Sequence, residues 1–154
     1  MSDQTPKGNM SPETYLGSKR MQYYYPSGSL SNGTQKFTLS DNLDQNSFSY
    51  GGIWEIFDEY AQTGNKATLN YNFTASKVYI ILRPGKTTGG TVKVYLDGKP
   101  IPQSQKGADV KDGIINVDTD RLYNVIDLHG KTENHKLKLE FQKSGIQVFT
   151  FTFG

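Results

Sequence analysis

The stretch HKLKLEFQ, residues 135–142, alternates polar and apolar side chains without interruption. Leu137, Leu139 and Phe141 occupy every second position, and charged or amide side chains fill the positions between them. Successive side chains of a β-strand point to opposite faces, so this period of two predicts a strand with one buried and one solvated face. Strands of this kind are typical of antiparallel sheets, which can leave one face in water.

The same alternation recurs along most of the chain. The further strand segments are QKFTLS (35–40), KATLNYNF (66–73), KVYIILRP (77–84), TVKVYLDG (91–98), IINV (114–117), RLYNVIDL (121–128) and GIQVFTFTF (145–153). GGIWEIFDEYAQ (51–62) fits a helix or a strand, and its leading glycine pair favours a strand. About nine strands at spacings of roughly 8 to 12 residues, with no intervening helices, predict an all-β sandwich or barrel.

Local sequence features add detail to this prediction. Asp97-Gly98 and Asp112-Gly113 are expected to form turns. Phe149, Phe151 and Phe153 alternate at the C-terminus and are expected to share one face and anchor the core.

The chain of 154 residues has the length of one domain with a real core. Residues 1–10 are polar and predict a tag or linker remnant, which leaves 11–154 as a single β-sandwich domain. Ser11 and Pro12 predict one short helical turn at the N-terminus. Tyr15 and Leu16 would then anchor the chain, and residues before Ser11 are expected to be poorly ordered.

Composition excludes several classes of function. A net charge of +2 is too small to predict a nucleic-acid partner. The chain has no cysteine, and therefore no thiol, disulfide or cysteine–metal chemistry of its own. No apolar run approaches the roughly 20 residues of a membrane span, so direct membrane insertion of this domain is not expected.

No motif predicts a catalytic residue, a metal site or a cofactor. The sequence contains neither a GxSxG elbow nor a phosphate-binding GxxxxGK[ST] loop. His129 and His135 are interpreted as structural hydrogen-bonding residues, because nothing in their spacing demands a metal. The acidic stretch from Asp109 to Asp120 is interpreted as turn-forming, with a calcium loop as the alternative.

Trp54, the only tryptophan, is the centre of one candidate binding site. A sugar could stack on its ring while planar polar side chains bind the hydroxyls, although a lone tryptophan on a strand is equally well explained as core. The candidate partners of Trp54, at strand ends or on outward faces, are Arg83, Asp97, Arg121 and Tyr123. An alternative function is a small glycan-active hydrolase that uses Glu55 or Glu59.

Several ordered pieces resemble one known family. They are SPETYLG (11–17), Gly52-Ile53-Trp54, NFTASKVYIILRP (72–84), VKVYLDGKP (92–100), RLYNVI (121–126) and FTFG (151–154). In order and spacing this set is similar to the C-terminal domain of DipZ-type and TlpA-like thioredoxin proteins. One departure is Ser18-Lys19 after the YLG, where the family often carries an aromatic and a small residue.

The resemblance implies a jelly-roll, galactose-binding-like antiparallel β-sandwich of the carbohydrate-binding-module type. In the family this domain follows a thioredoxin-like domain that carries the redox cysteines, and a membrane region related to cytochrome c biogenesis proteins often precedes both. The implied location is extracytoplasmic in a bacterium, in the periplasm or at the outer face of the cytoplasmic membrane.

The function implied by the resemblance is that of a non-catalytic accessory module of a thiol-disulfide protein. Tyr15 and Arg20 are the candidate contacts with the preceding domain. Binding of an envelope glycan or a protein client is a further expectation, and a purely structural domain that packs on its thioredoxin neighbour is the alternative.

Overall fold

The computed structural model describes residues 10–86 and 89–154, which form β-strands joined by turns and a single 3-10 turn. The strands are β1 Thr14–Tyr15, β2 Gly33–Phe37, β3 Ser47–Ile56, β4 Ala61–Thr63, β5 Thr68–Ala75, β6 Lys77–Arg83, β7 Gly90–Leu96, β8 Lys99–Pro100, β9 Val110–Lys111, β10 Ile114–Val117, β11 Arg121–Asp127, β12 Glu133–Phe141 and β13 Gln147–Phe153. In this described part of the chain, no helix has the length and apolar character needed to cross a membrane.

The strands form two packed sheets in which every pairing between named strands is antiparallel. Sheet A has the order β11-β6-β13-β4-β3-β2, with β1 beside β13. Sheet B has the order β3-β5-β12-β7-β10-β9, with β8 beside β7. The predicted all-β antiparallel sandwich is confirmed. Within the described ranges, the nine strands of four or more residues correspond to the nine predicted segments, and the remaining strands are shorter.

Strand β3 belongs to both sheets and changes sheet at a glycine pair. Its first half, up to Gly51, pairs with β5, and its second half, from Gly52, pairs with β2 and β4. Gly52 has φ +74°, and a Cβ there would lie 2.1 Å from the carbonyl oxygen of Lys66. The glycine pair therefore forms the corner that folds one strand into two sheets, and the strand interpretation of this segment is confirmed.

Aromatic rings fill the space between the sheets. The largest fully buried side chains include Trp54, Tyr50, Tyr71, Tyr123, Phe48, Phe73 and Phe151. The buried hydroxyls are hydrogen-bonded: Tyr50 donates to the carbonyl of Leu16 at 2.9 Å, and the Tyr71 hydroxyl lies 2.5 Å from Thr14 Oγ1. Large rings give a wide apolar core from few residues, which explains how this polar sequence folds.

The C-terminal strand departs from its predicted alternation. The register of β13 against β6 shifts between Val148 and Thr150, so Phe149 occupies a bulge. Phe151 and Phe153 stack with ring centroids 6.1 Å apart, whereas Phe149 packs on Tyr60 outside the core. The prediction that all three phenylalanines share one face was therefore wrong for Phe149.

The N-terminal segment enters as a strand, and the helical turn follows it. The 3-10 turn spans Ser18–Arg20, whereas the sequence placed it at Ser11. Thr14 and Tyr15 pair with β13 before the turn, and Leu16 is fully buried while Tyr15 is half-buried. The expectation of disorder before Ser11 concerns residues 1–9, which lie outside the described residues, while Met10 packs against the core.

Candidate functional site

A groove runs along the outward face of sheet B, over strand β12, and we call it the β12 groove. Its volume is about 320 Å³, and it is lined by Asp41, Leu43, Asn70, Tyr71, Asp97, Gly98, Lys136, Leu137 and Lys138. The polar positions of the alternating strand form its floor, because Leu137 and Leu139 turn their side chains into the core. The volume is within the range of small-molecule sites, which begins at about 300 Å³.

Asparagine side chains fix one wall of the β12 groove. Asn70 Nδ2 donates to the carbonyl of Ser40 at 2.5 Å, and Asn72 Nδ2 donates to the carbonyl of Leu43 at 3.0 Å. Asn134 Nδ2 donates to Asn72 Oδ1 at 2.8 Å. Outward-facing amides of β5 and β12 thus hold the loop before β3 against the sheet. This wall is built by side chains that the sequence pattern shows only as solvated positions.

The opposite wall is the β7–β8 turn, held by a histidine between two carboxylates. His135 Nδ1 lies 2.5 Å from Asp97 Oδ2, and His135 Nε2 lies 2.8 Å from Glu133 Oε1. The backbone N–H of Lys136 also donates to Asp97 Oδ1 at 2.9 Å. The pair Asp97-Gly98 forms the predicted turn with φ values of 53° and 82°, which suits a two-residue hairpin.

These contacts shift the pKa values of both partners. Partial burial alone would lower the pKa of His135, but its hydrogen bonds to Glu133 and Asp97 raise the pKa above the usual value. Burial alone would raise the pKa of Asp97, but hydrogen bonds from the Lys136 backbone and from His135 lower it. The charged forms of both groups therefore stabilise this wall.

Lys136 and Asp41 contribute exposed charges to the β12 groove, and the charge of Lys136 is coupled to that of Asp97. Lys138 lies 3.3 Å from Glu140 and 4.9 Å from the centroid of the Tyr95 ring. The groove therefore presents exposed charges of both signs on a fixed framework.

The hypothesis of a sugar stacked on Trp54 does not fit the structure. The Trp54 ring is fully buried, and its Nε1 donates to the carbonyls of Gly51 at 2.9 Å and Thr68 at 3.1 Å. Its ring packs on Tyr50 and Phe141. Trp54 is therefore a core residue, which was the alternative interpretation of the sequence.

Arg121 and Tyr123 form a cluster of their own. The guanidinium of Arg121 lies 3.8 Å from the Tyr123 ring centroid and 3.1 Å from Asp109 Oδ1. Its Nε lies 3.8 Å from Asp118 Oδ1. The Tyr123 hydroxyl donates to the carbonyl of Thr119 at 2.6 Å. Two aspartates of the possible calcium loop thus face a guanidinium, and no metal-binding group of three or more residues occurs in the described ranges.

Arg83 lies on the outward face of sheet A, beside the bulge. Its Nε donates to Gln147 Oε1 at 2.5 Å, and its guanidinium lies 4.7 Å from the Phe149 ring centroid and 5.3 Å from that of Tyr60. Asp97 lines the β12 groove on the other sheet. The five predicted ligand-binding residues therefore do not converge on one site.

The predicted interdomain residues contact each other on the surface. The guanidinium of Arg20 lies 4.0 Å from the Tyr15 ring centroid, and Arg20 Nη2 lies 3.9 Å from Glu59 Oε1. Glu55 lies on β3, opposite Gln62 of β4. Glu59 thus pairs with a surface arginine, and Glu55 lies within a strand opposite Gln62. Neither arrangement supports the alternative function of a glycan-active hydrolase.

Comparison with known proteins identifies the family. A model described as the thioredoxin-like C-terminal domain matches residues 11–154. The chain belongs to this family. It is similar to the proteins named Protein DipZ of Mycobacterium bovis and of Mycobacterium tuberculosis, each 30% identical over 153 residues. The aligned region covers 99% of this chain and 20% of each relative, so the chain spans about a fifth of their length.

The resemblance predicted from the ordered sequence pieces is therefore confirmed. The sequence also pointed to one wall residue of the β12 groove, Asp97, through its turn. It missed Asp41 and Lys136, because alternation marks a position as outward-facing but does not show what lies across from it.

Proposed function

We propose that this chain is a non-catalytic accessory module of an extracytoplasmic thioredoxin-like thiol-disulfide protein. The observation that carries the proposal is the match of residues 11–154 to a family described as a C-terminal domain of thioredoxin-like proteins. The absence of cysteine supports it, because thiol–disulfide exchange then belongs to another domain. The module positions that domain or presents a ligand or client to it.

The outward face of sheet A is the surface we assign to the preceding domain. Strand pairing places Leu122, Ile81, Thr150 and Tyr15 in one row across four strands. Leu122 is 43% exposed, a high value for a large apolar side chain. Arg20 stacks on the Tyr15 end of this row, and aromatic residues and arginine are the types enriched where proteins bind each other.

Hydrogen exchange in the natural full-length protein tests this assignment. We expect slower amide exchange over residues 14–20 and 57–60 in the full-length protein than in this chain alone, because a docked domain excludes water from them. The β9–β10 hairpin, at the far edge of sheet B, is the internal control and keeps its exchange rate. The proposal would be contradicted if residues 14–20 and 57–60 exchanged at the same rate in the full-length protein and in this chain alone. It would also be contradicted by a natural protein without a thioredoxin-like domain before residue 11.

A further inference from the structure

We propose that strand β2 binds a second copy of this chain edge to edge, so that sheet A continues from one copy into the other. This inference goes beyond the proposed accessory role, because it concerns contact between two copies and not with the preceding domain. Among the described residues, β2 pairs with β3 alone, which leaves its other edge without a neighbouring strand. An unpaired edge of this kind is a template for a further strand.

Strand β3 turns its backbone groups alternately toward its two neighbours in sheet A. The N–H of Phe57 donates to the carbonyl of Tyr60 at 2.9 Å, and the N–H of Gly64 donates to the carbonyl of Ile53 at 2.7 Å. The odd-numbered residues of this half of β3 therefore bond toward β4. The residues between them, Trp54 included, bond toward β2.

This alternation fixes which backbone groups of β2 face outward. Gln35 is directly opposite Trp54 and therefore exchanges its backbone hydrogen bonds with β3. Thr34 and Lys36, on either side of Gln35, must turn their N–H and C=O groups away from β3. All three of these β2 residues are exposed. The outer edge of β2 thus presents two residues with their backbone donors and acceptors directed to solvent.

The outward groups of β2 are complementary to those of a second β2. A two-fold axis at Gln35 places Thr34 of each copy opposite Lys36 of the other, in the middle of the five-residue strand. Each such antiparallel pair exchanges two hydrogen bonds, which engages every outward backbone group of both residues. The same surface then serves in both copies, as two-fold symmetric dimers require.

The side chains of β2 select this register. Lys36 lies opposite the small polar Thr34, and Gln35 lies beside its own copy, where side-chain amides can both donate and accept. A register centred on Lys36 would place two lysines directly opposite each other, which is destabilising. A lysine on an edge strand commonly discourages pairing. Here it disfavours the wrong register and leaves the one centred on Gln35 free of like-charge contacts.

The test combines sedimentation with amide hydrogen exchange of this chain at increasing concentration. One short strand is a small interface, so we expect a weak dimer that is detectable by about 1 mM. The N–H groups of Thr34 and Lys36 should become protected as the dimer fills, because they are free in the monomer.

Proline at the outward positions isolates the backbone pairing. Lys36→Pro removes one outward N–H without removing a bond to β3, and edge strands tolerate proline at such positions. We expect it to weaken the dimer at least about tenfold. Thr34→Pro is a second variant with the same expectation, should Lys36→Pro fail to fold. Lys36→Ala is the matched control, since it removes the same side chain but keeps the N–H, and it should still dimerise.

Three results would overturn the inference. The first is a chain that stays monomeric up to about 1 mM, and the second is a dimer that both proline variants leave unchanged. The third is protection of Thr34 and Lys36 that does not depend on concentration, which would assign the edge to another segment of the same chain. The docking of sheet A is tested separately, because it is measured at residues 14–20 and 57–60.

Discussion

At the scale of single residues, burial separates structural from functional side chains. Trp54 and Tyr123 both looked suited to ligand binding, yet both rings are fully buried. Lys136 is an ordinary polar residue in the sequence, yet it lines the β12 groove together with Asp97, which was a predicted ligand-binding residue. Residue type alone could not distinguish these cases, because a lone aromatic residue on a strand serves a core or a binding site equally well.

The environment of His135 predicts a pH-dependent contribution to stability. A histidine whose folded pKa is raised stabilises the fold fully below its unfolded pKa of about 6.5, and this contribution is lost as pH rises through the folded pKa. The lowered pKa of Asp97 changes the stability only in acid, where the carboxylate becomes protonated. The contribution of Asp97 to the free energy of unfolding is therefore constant above about pH 5. We therefore expect the free energy of unfolding to fall as pH rises through the raised pKa of His135.

Urea unfolding of His135→Gln checks this prediction. The variant should lose the decline in stability that the unsubstituted protein shows as pH rises above about 6.5, because glutamine does not titrate. His129→Gln is the control, since the His129 side chain is 71% exposed. A decline that persists unchanged in His135→Gln would show that another group causes it.

At the scale of elements, alternation predicted the strands well but not the places where a strand changes direction. The nine predicted strands are present. Each has one face in the core, and this burial produces the alternation of polar and apolar residues from which the strand was predicted. The bulge at Phe149 and the change of sheet at Gly51-Gly52 depend on contacts with distant residues, including Thr68 and Lys66. A local pattern does not contain those contacts, so neither feature was predicted.

The corner in β3 predicts a large effect of Gly52→Ala. A non-glycine residue at φ +74° costs about 1–3 kcal/mol in backbone strain, and the close approach of the Lys66 carbonyl adds to that cost. Gly113→Ala is the matched control, because Gly113 has φ +77° but no atom within 4 Å of an added Cβ.

Thermal or urea unfolding of both variants separates the effect of the close contact at the corner from the effect of the positive φ. Gly52→Ala should be destabilised by more than Gly113→Ala, or should fail to fold, while Gly113→Ala should remain folded with a loss of about 1–3 kcal/mol or less. Equal losses of stability in the two variants would mean that the close approach of the Lys66 carbonyl adds nothing to the cost. The positive φ alone would then account for the destabilisation of both variants.

At the scale of the whole molecule, the two outward sheet faces differ in character. The face of sheet A carries Leu122, Arg83 and Tyr15, with aromatic–arginine contacts. The face of sheet B carries the polar β12 groove. The family and the sandwich could be predicted from the sequence, because ordered motifs and periodicity record them. The difference in character between the two faces could not be predicted, because it arises from strand order and from the loop that forms a groove wall.

The structure of the natural full-length protein is the most direct test of the accessory-module proposal. The proposal predicts a thioredoxin-like domain before residue 11 that covers Tyr15 and Arg20 on sheet A and leaves the β12 groove open to solvent. A preceding domain of another kind, or a thioredoxin-like domain that leaves Tyr15 and Arg20 exposed or fills the β12 groove, would contradict it.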